Sequence, residues 1–222
     1  MINLQKYCAK GEVMIKILAI STSLNKNSKS RELLFRIEDL FIKPYKFTHI
    51  NLLKEKYSNI RCDVCGKCAD TGSCIKEANR NVMDLIKNTD IIILASPIYY
   101  GGISGVTKSF LESMYFLKNN ALKNKRVIAL FSSSKPGQEG IAIMELLPWC
   151  FKYGATLVQV ESLNDNSTKE EKDQIIKRIS EMIQKRNGVD TLMDLDFGYI
   201  NYFDKQAGIP VMYDVKKVID KA

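Results

Sequence analysis

Residues 90–102, DIIILASPIYYGG, constrain this chain more than any other stretch. The consecutive apolar residues Ile91 to Leu94 leave no polar face, so they do not suit a strand with one side in water. They read as a strand covered on both faces, as in a parallel sheet clothed by helices. The run stops at Ala95-Ser96-Pro97 and opens into two tyrosines and two glycines. Pro97 has no amide hydrogen for a ladder, and Gly101-Gly102 lets backbone pass close to a flat or bulky group. An interior strand ending in such a loop is where an open α/β sheet holds its ligand. The loop is therefore expected to form one wall of the site.

The rest of the chain alternates around that strand. IKILAIS at 15–21 reads as a first buried strand, followed by a polar loop at 21–30. Leu33, Leu34, Ile37, Leu40 and Phe41 then fall at helical spacing, with Ser30 as the expected N-cap. Further strands are expected at 45–53, 90–95, 126–132 and 156–163, and helices at 79–88, 105–117 and 140–153, the last holding Trp149 in the core and closed by Gly154. Ser167-Thr168-Lys169-Glu170 reads as a capping box opening a helix to about Arg186. Five strands alternating with five helices predict a three-layer α/β domain with a parallel sheet and right-handed crossovers. The count fits the flavodoxin-like strand order 2-1-3-4-5, with its crevice between strands one and three. Residues 1–13 read as a polar leader, 14–187 as the domain, and 188–222, where the alternation stops, as a C-terminal extension containing FGYINYF.

The net charge of +8 admits nucleic acid, acidic partners or a phosphate-bearing cofactor. The lysines are spread along the chain without a basic–aromatic motif, so a solvated basic surface is the better reading and nucleic acid is not expected. No apolar run approaches the ~20 residues of a membrane-crossing helix, which makes a cytoplasmic protein without a membrane partner the expectation. The single histidine, His49, sits inside an expected strand and reads as structural, which disfavours Ser-His or Cys-His chemistry.

Two stretches carry chemistry. A strand–loop–helix unit at 21–30 aims backbone N–H groups and the positive end of a helix at one spot, which suits a phosphate. Neither G-x-G-x-x-G nor G-x-x-x-x-G-K-[ST] is present, which leaves a single terminal phosphate, as in FMN. The second stretch is the C-x2-C-x2-C-x5-C run of Cys62, Cys65, Cys68 and Cys74, to which Cys8 and Cys150 do not belong. Clustered thiols without a secretion signal point to a metal. The compact spacing suits a [4Fe–4S] cubane; structural zinc usually takes two separated knuckles, and thiols without metal are the third reading.

KILAISTSLNKNSKSRELL, SPIYYGGISGVTKSFLE and ALFSSSKPGQEG resemble, in order, the three flavin loops of the NADPH-dependent FMN reductase family, over roughly residues 14–161. The cysteine run resembles that of the iron–sulfur flavoprotein branch of this family. The resemblance implies that Ser21, Ser23, Asn25, Ser28, Lys29 and Ser30 surround the FMN phosphate. It implies that Pro97, Ile98, Tyr99, Tyr100 and Gly101 border the isoalloxazine, and that Ser132, Ser133 and Gly137 close its other side. Leu24-Asn25 and Ser28-Lys29 stand where the family often has Pro-Arg and Gly-Asn, and Glu77-Ala78-Asn79 where the branch mostly has an acidic pair. The function so implied is an oxidoreductase in which electrons pass between FMN, the cluster and a redox partner, with no catalytic side chain. NAD(P)H or ferredoxin would be the donor, a small molecule or protein the acceptor, and the assembly a homodimer or homotetramer. The alternatives are an NAD(P)H-dependent FMN or quinone reductase without a functional cluster, and a non-enzymatic flavodoxin-like binding module.

Overall fold

The computed structural model describes residues 14–185 apart from positions 55, 56, 58 and 119. The expected leader, the extension from 188 with its aromatic run, and Cys8 lie outside the described residues. In chain order the elements are β1 (Ile15–Ser21), α1 (Lys29–Glu38), β2 (Tyr45–Asn51), α2 (Lys67–Thr71), α3 (Glu77–Lys87), β3 (Ile91–Tyr99), β4 (Gly102–Ile103), α4 (Gly105–Glu112), β5 (Arg126–Ser132), α5 (Glu139–Tyr153), β6 (Thr156–Leu163) and α6 (Lys169–Gln184). The five long strands are parallel in the order β2-β1-β3-β5-β6, the expected flavodoxin-like order. One strand was not expected: β4 is two residues long and pairs antiparallel with the end of β3.

Strict alternation along the central strands builds two cores. Leu18, Ile20, Ile92, Leu94, Val127, Ala129 and Phe131 face one layer, where they meet α3, α4 and α5. Ile17, Ala19, Ile91, Ile93, Ala95, Ile128 and Leu130 face the other, against α1 and α6. The unbroken apolar run at 91–94 follows directly, since both faces of β3 are covered.

Several boundaries differ from expectation, each for a local reason. β3 runs four residues beyond Ala95, through Pro97 to Tyr99. The Ala95 and Pro97 carbonyls accept from Thr22 N and Ser104 N, on the side where β1 has made its last pair at Ser21↔Ala95. The donor missing at Pro97 therefore falls where no strand is left to need it. The N-cap of α1 is Ser28, whose hydroxyl accepts from Arg31 N, while Ser30 is already inside the helix and fully buried. The capping box of α6 lies one residue later than expected, on Thr168 and Glu171. The Ser167 hydroxyl is engaged elsewhere, accepting from Asn164 N at 2.9 Å. α4 ends at Glu112, where the Ser113 hydroxyl donates to the Phe110 carbonyl at 2.6 Å. Met114 and Leu117 still enter the core, carried by turns after the helix. Trp149 is only half-buried, edge-on to Tyr153 with ring centroids 5.6 Å apart. His49 is structural as expected, its Nε2 2.7 Å from Glu38 Oε2 and its ring stacked on Phe35. No helix among the described residues is long and apolar enough to cross a membrane.

Candidate functional site

Parallel strands all exit at one end of the sheet, so the loops after β1, β3 and β5 gather there. The chain places β2 on one side of β1 and β3 on the other, which opens the crevice between β1 and β3. The cysteine-bearing segment leaves from the same end, because it follows β2 and precedes α3.

The loop after β1 is curled by its own side chains. Arg31, from the first turn of α1, donates through Nη2 to the Ser23 carbonyl at 2.6 Å, through Nη1 to the Lys26 carbonyl at 3.3 Å and through Nε to Ser21 Oγ at 3.3 Å. Burial lowers the pKa of this guanidinium from its ordinary value. Ser23 Oγ accepts from Asn25 N at 3.3 Å, and Asn25 Oδ1 from Asn27 N at 2.9 Å. Ser28 and Ser30 hydroxyls lie 3.1 Å apart at the head of α1. The first-turn amides of α1 have no intrahelical partner by geometry, as a phosphate site requires. Lys29 turns away, its Nζ 3.2 Å from Asp165 Oδ1 on the loop after β6.

The loops after β1 and β3 are joined by a hydroxyl cluster that sequence reasoning missed. Thr107 Oγ1 lies 2.7 Å from Thr22 Oγ1, 2.7 Å from Ser96 Oγ and 2.8 Å from Ser104 Oγ. All four residues are buried. Beyond them, Pro97 and Ile98 are buried in β3, while Tyr99 and Tyr100 are exposed. Tyr100 and Gly101 are both left-handed, with φ of 53° and 82°. A tyrosine in that region is uncommon and marks a turn held by its surroundings. The holder comes from α5: Glu145 Oε2 accepts from Ile103 N at 2.8 Å. A Cβ on Gly102 would stand 2.7 Å from that same oxygen, so a side chain there displaces the carboxylate.

In the loop after β5, Ser133 N donates to the Leu163 carbonyl at 3.0 Å and its hydroxyl to the Lys135 carbonyl at 2.6 Å. Ser132 is half-buried, and Gly137 is left-handed with φ 76°. Next along the chain, Glu139 opens α5 with only 4% of its surface exposed, and its Oε2 has no partner among the described residues. A helix N-terminus, hydroxyls, a held aromatic turn and this unpartnered carboxylate fit a phosphate-bearing aromatic cofactor such as FMN.

The four cysteines occupy a loop of tight turns. Val64, Gly66 and Gly72 are left-handed at φ 51°, 73° and 65°, and a β-branched residue there is a true outlier. Val64 N donates to Cys62 Sγ at 3.4 Å and Asn79 Nδ2 to Cys74 Sγ at 3.4 Å. Lys76 and Arg61 hydrogen-bond Asp63 and hold its carboxyl below the ordinary value. All four thiols are free: Cys65 is exposed, while Cys62, Cys68 and Cys74 are half-buried. Among the described residues no three metal-ligating side chains converge. The donor set, thiols with N–H groups aimed at two sulfurs, fits an iron–sulfur cluster by its chemistry. Cys150 is separate, 1% exposed in the core, with burial pushing its thiol up to about 12.

Known proteins agree with this architecture. An iron–sulfur flavoprotein of Archaeoglobus fulgidus is 27% identical over 139 residues, which are 60% of this chain and 67% of that protein. Another iron–sulfur flavoprotein of the same organism is 33% identical over 67 residues, only 30% of this chain and 29% of the relative. The crystal structure of an NADH:FMN oxidoreductase in its apo form superposes with a TM-score of 0.54 at 20% identity, covering 83% of this chain and 98% of that one, and so shares the fold. Residues 15–170, which contain all three loops and the four cysteines, match a single family. The chain belongs to the NADPH-dependent FMN reductase family.

Proposed function

We propose that this protein is an FMN-dependent oxidoreductase of the iron–sulfur flavoprotein type, passing electrons between FMN, a [4Fe–4S] cluster and a redox partner. The reading is carried by one observation: the family's three loops and a four-cysteine segment leave the sheet at the same end. When bound, FMN supplies hydride acceptance and the release of electrons one at a time. The amides at the head of α1, with Ser21, Ser23, Asn25, Ser28 and Ser30, bind its phosphate. Lys29 joins the phosphate only by giving up its exposed ion pair with Asp165. Pro97, Ile98, Tyr99, Tyr100 and Gly101 border the ring on one side, and Ser132, Ser133 and Gly137 on the other. Cys62, Cys65, Cys68 and Cys74 hold the cluster, with N–H donors from Val64 and Asn79 on two sulfurs. His49, on β2, takes no part, being tied to Glu38 at the end of α1.

NAD(P)H or ferredoxin supplies the electrons, a small molecule or protein accepts them, the chain works as a homodimer or homotetramer, and a cytoplasmic location keeps the thiols reduced. Purification without oxygen tests the reading. The expected protein is coloured by both cofactors, with iron and acid-labile sulfide in equal amounts. A colourless preparation that takes up no added FMN overturns it and favours a non-enzymatic binding module. The second reading is an NAD(P)H-dependent FMN or quinone reductase without a cluster, and it draws on the spacing of the thiols, no three of which converge among the described residues. Yellow, iron-free protein would establish it.

A further inference from the structure

We infer that Asn79 is the clamp that closes the four-cysteine loop, a positioning residue tying its last thiol to its first backbone carbonyl. Its purpose rests on the cluster reading above, while its geometry rests on contacts within the chain. Asn79 is the third residue of α3 and is 0% exposed. Its Nδ2 donates to the Arg61 carbonyl at 3.1 Å and to Cys74 Sγ at 3.4 Å. Arg61 directly precedes Cys62, and Cys74 is the last of the four, so one amide joins the entry and the exit of the run. Chemistry fixes the orientation of that amide: a carbonyl only accepts, so the group facing Arg61 is the NH2.

The same placement leaves Asn79 Oδ1 buried with no partner among the described residues. A buried acceptor without a donor destabilises the fold, and a leucine there would avoid that cost. The amide is therefore in place for its two donors. Neighbouring side chains close the same gap. Lys76 Nζ reaches the Arg61 carbonyl at 3.3 Å and Asp63 Oδ2 at 2.9 Å. Arg80 donates to the Cys74 and Ile75 carbonyls at 2.7 and 2.8 Å. Asn79 alone among these three touches a sulfur. Hydrogen bonds to ligand sulfurs help to set a cluster's potential, so the clamp both joins the two ends of the run and tunes what its last thiol holds.

The test compares full-length wild-type protein with Asn79→Leu, Asn79→Ala and, as a control, Asn81→Leu at an exposed position of the same helix. The alanine removes the donors without adding bulk or charge, which covers the case in which the leucine variant misfolds. The first readout uses reduced, metal-free chain labelled with iodoacetamide, followed cysteine by cysteine with mass spectrometry. Cys74 is expected to label roughly fivefold faster in both Asn79 variants, the factor matching one lost hydrogen bond. Cys65, already exposed, and the control variant keep wild-type rates. The second readout is anaerobic reconstitution. The Asn79 variants are expected to retain less iron, with a more negative reduction potential in what remains. Unchanged Cys74 labelling in both variants overturns the clamp whatever the iron content. Wild-type protein that takes up no iron, with the labelling contrast intact, overturns the cluster reading and leaves the clamp standing.

Discussion

Replacing Thr107 by valine isolates the hydroxyl that joins the loops after β1 and β3. The cost follows from counting protons. Thr22 keeps the Ala95 carbonyl as acceptor at 3.0 Å, and Ser96 keeps the Pro97 carbonyl at 2.9 Å. Ser104 still caps α4 by accepting from Thr107 N at 3.2 Å, but its own proton loses Thr107 Oγ1. One buried donor is thus orphaned, which costs about 1–3 kcal/mol. For a chain of this size that lowers Tm by about 2–4 °C per kcal/mol, or roughly 4–8 °C at the middle of the range. Urea unfolding of Thr107→Val, Ser104→Ala and the double variant tests the assignment. Ser104→Ala alone costs about 1 kcal/mol as a lost cap. In the valine background it also removes the orphan, so the double variant is expected to fall short of additivity by about 1 kcal/mol. FMN affinity should drop with Thr107→Val, since the two loops no longer share a fixed spacing. Additive costs, within ~0.5 kcal/mol, would refute the proton count.

Gly102→Ala drives a methyl against Glu145 Oε2, and breaking the bond to Ile103 N should cost about 1–3 kcal/mol and weaken FMN binding. Adding Glu145→Ala should recover part of the stability but not the affinity; thermal shift and flavin titration read the two separately, and no recovery would place the clash elsewhere. Arg31→Lys keeps the charge but loses the fork that curls the loop after β1, so the FMN Kd is expected to rise about tenfold with the fold intact; an unchanged Kd contradicts this role. Cys150 has its pKa raised by burial from 9.0 to about 12, so its contribution to stability is whole below about pH 9 and is lost as pH rises toward 12. Cys150→Ala should therefore unfold with a shallower pH dependence above 9 and unchanged iron content, and equal slopes for the two proteins would show that the thiol is not buried.

The fold was legible because its signals are local. Runs such as Ile91 to Leu94 state that both sheet faces are covered, and the two cores alternate along β1, β3 and β5 accordingly. Boundaries are ambiguous in the sequence where two side chains compete for one role. Ser28 and Ser30 both suit a cap, as do Ser167 and Thr168, and tertiary contacts decided between them. Pro97 reads as a strand end, yet it lies in β3 because its missing donor faces a side already vacated by β1. Which neighbour stands at each residue is not written in the residue itself.

The ligand end of the sheet left a subtler mark, visible once the helices are aligned. Each helix that starts beside the crevice begins its buried stripe with a polar residue. Ser30 precedes Leu33, Leu34 and Ile37 in α1, and Asn79 precedes Val82, Met83 and Ile86 in α3. Thr107 precedes Phe110 and Leu111 in α4, and Glu139 precedes Ala142, Leu146 and Cys150 in α5. By contrast α6, which follows β6 at the sheet edge farther from the β1–β3 crevice, begins its stripe with Ile175. The cause is geometric: crossover helices run back along the sheet, so their first turns stand at the strand exits, where the core gives way to the site. A buried polar group is costly in a closed core, so its repeated use at this one level marks where donors and acceptors are needed. Ser30 meets the Ser28 cap, Asn79 meets Cys74, Thr107 joins two loops, and Glu139 keeps one oxygen without a partner among the described residues. Polar residues at the head of otherwise apolar helix stripes therefore outline the site more sharply than the serine-rich loops do, because loop serines also serve simple turns.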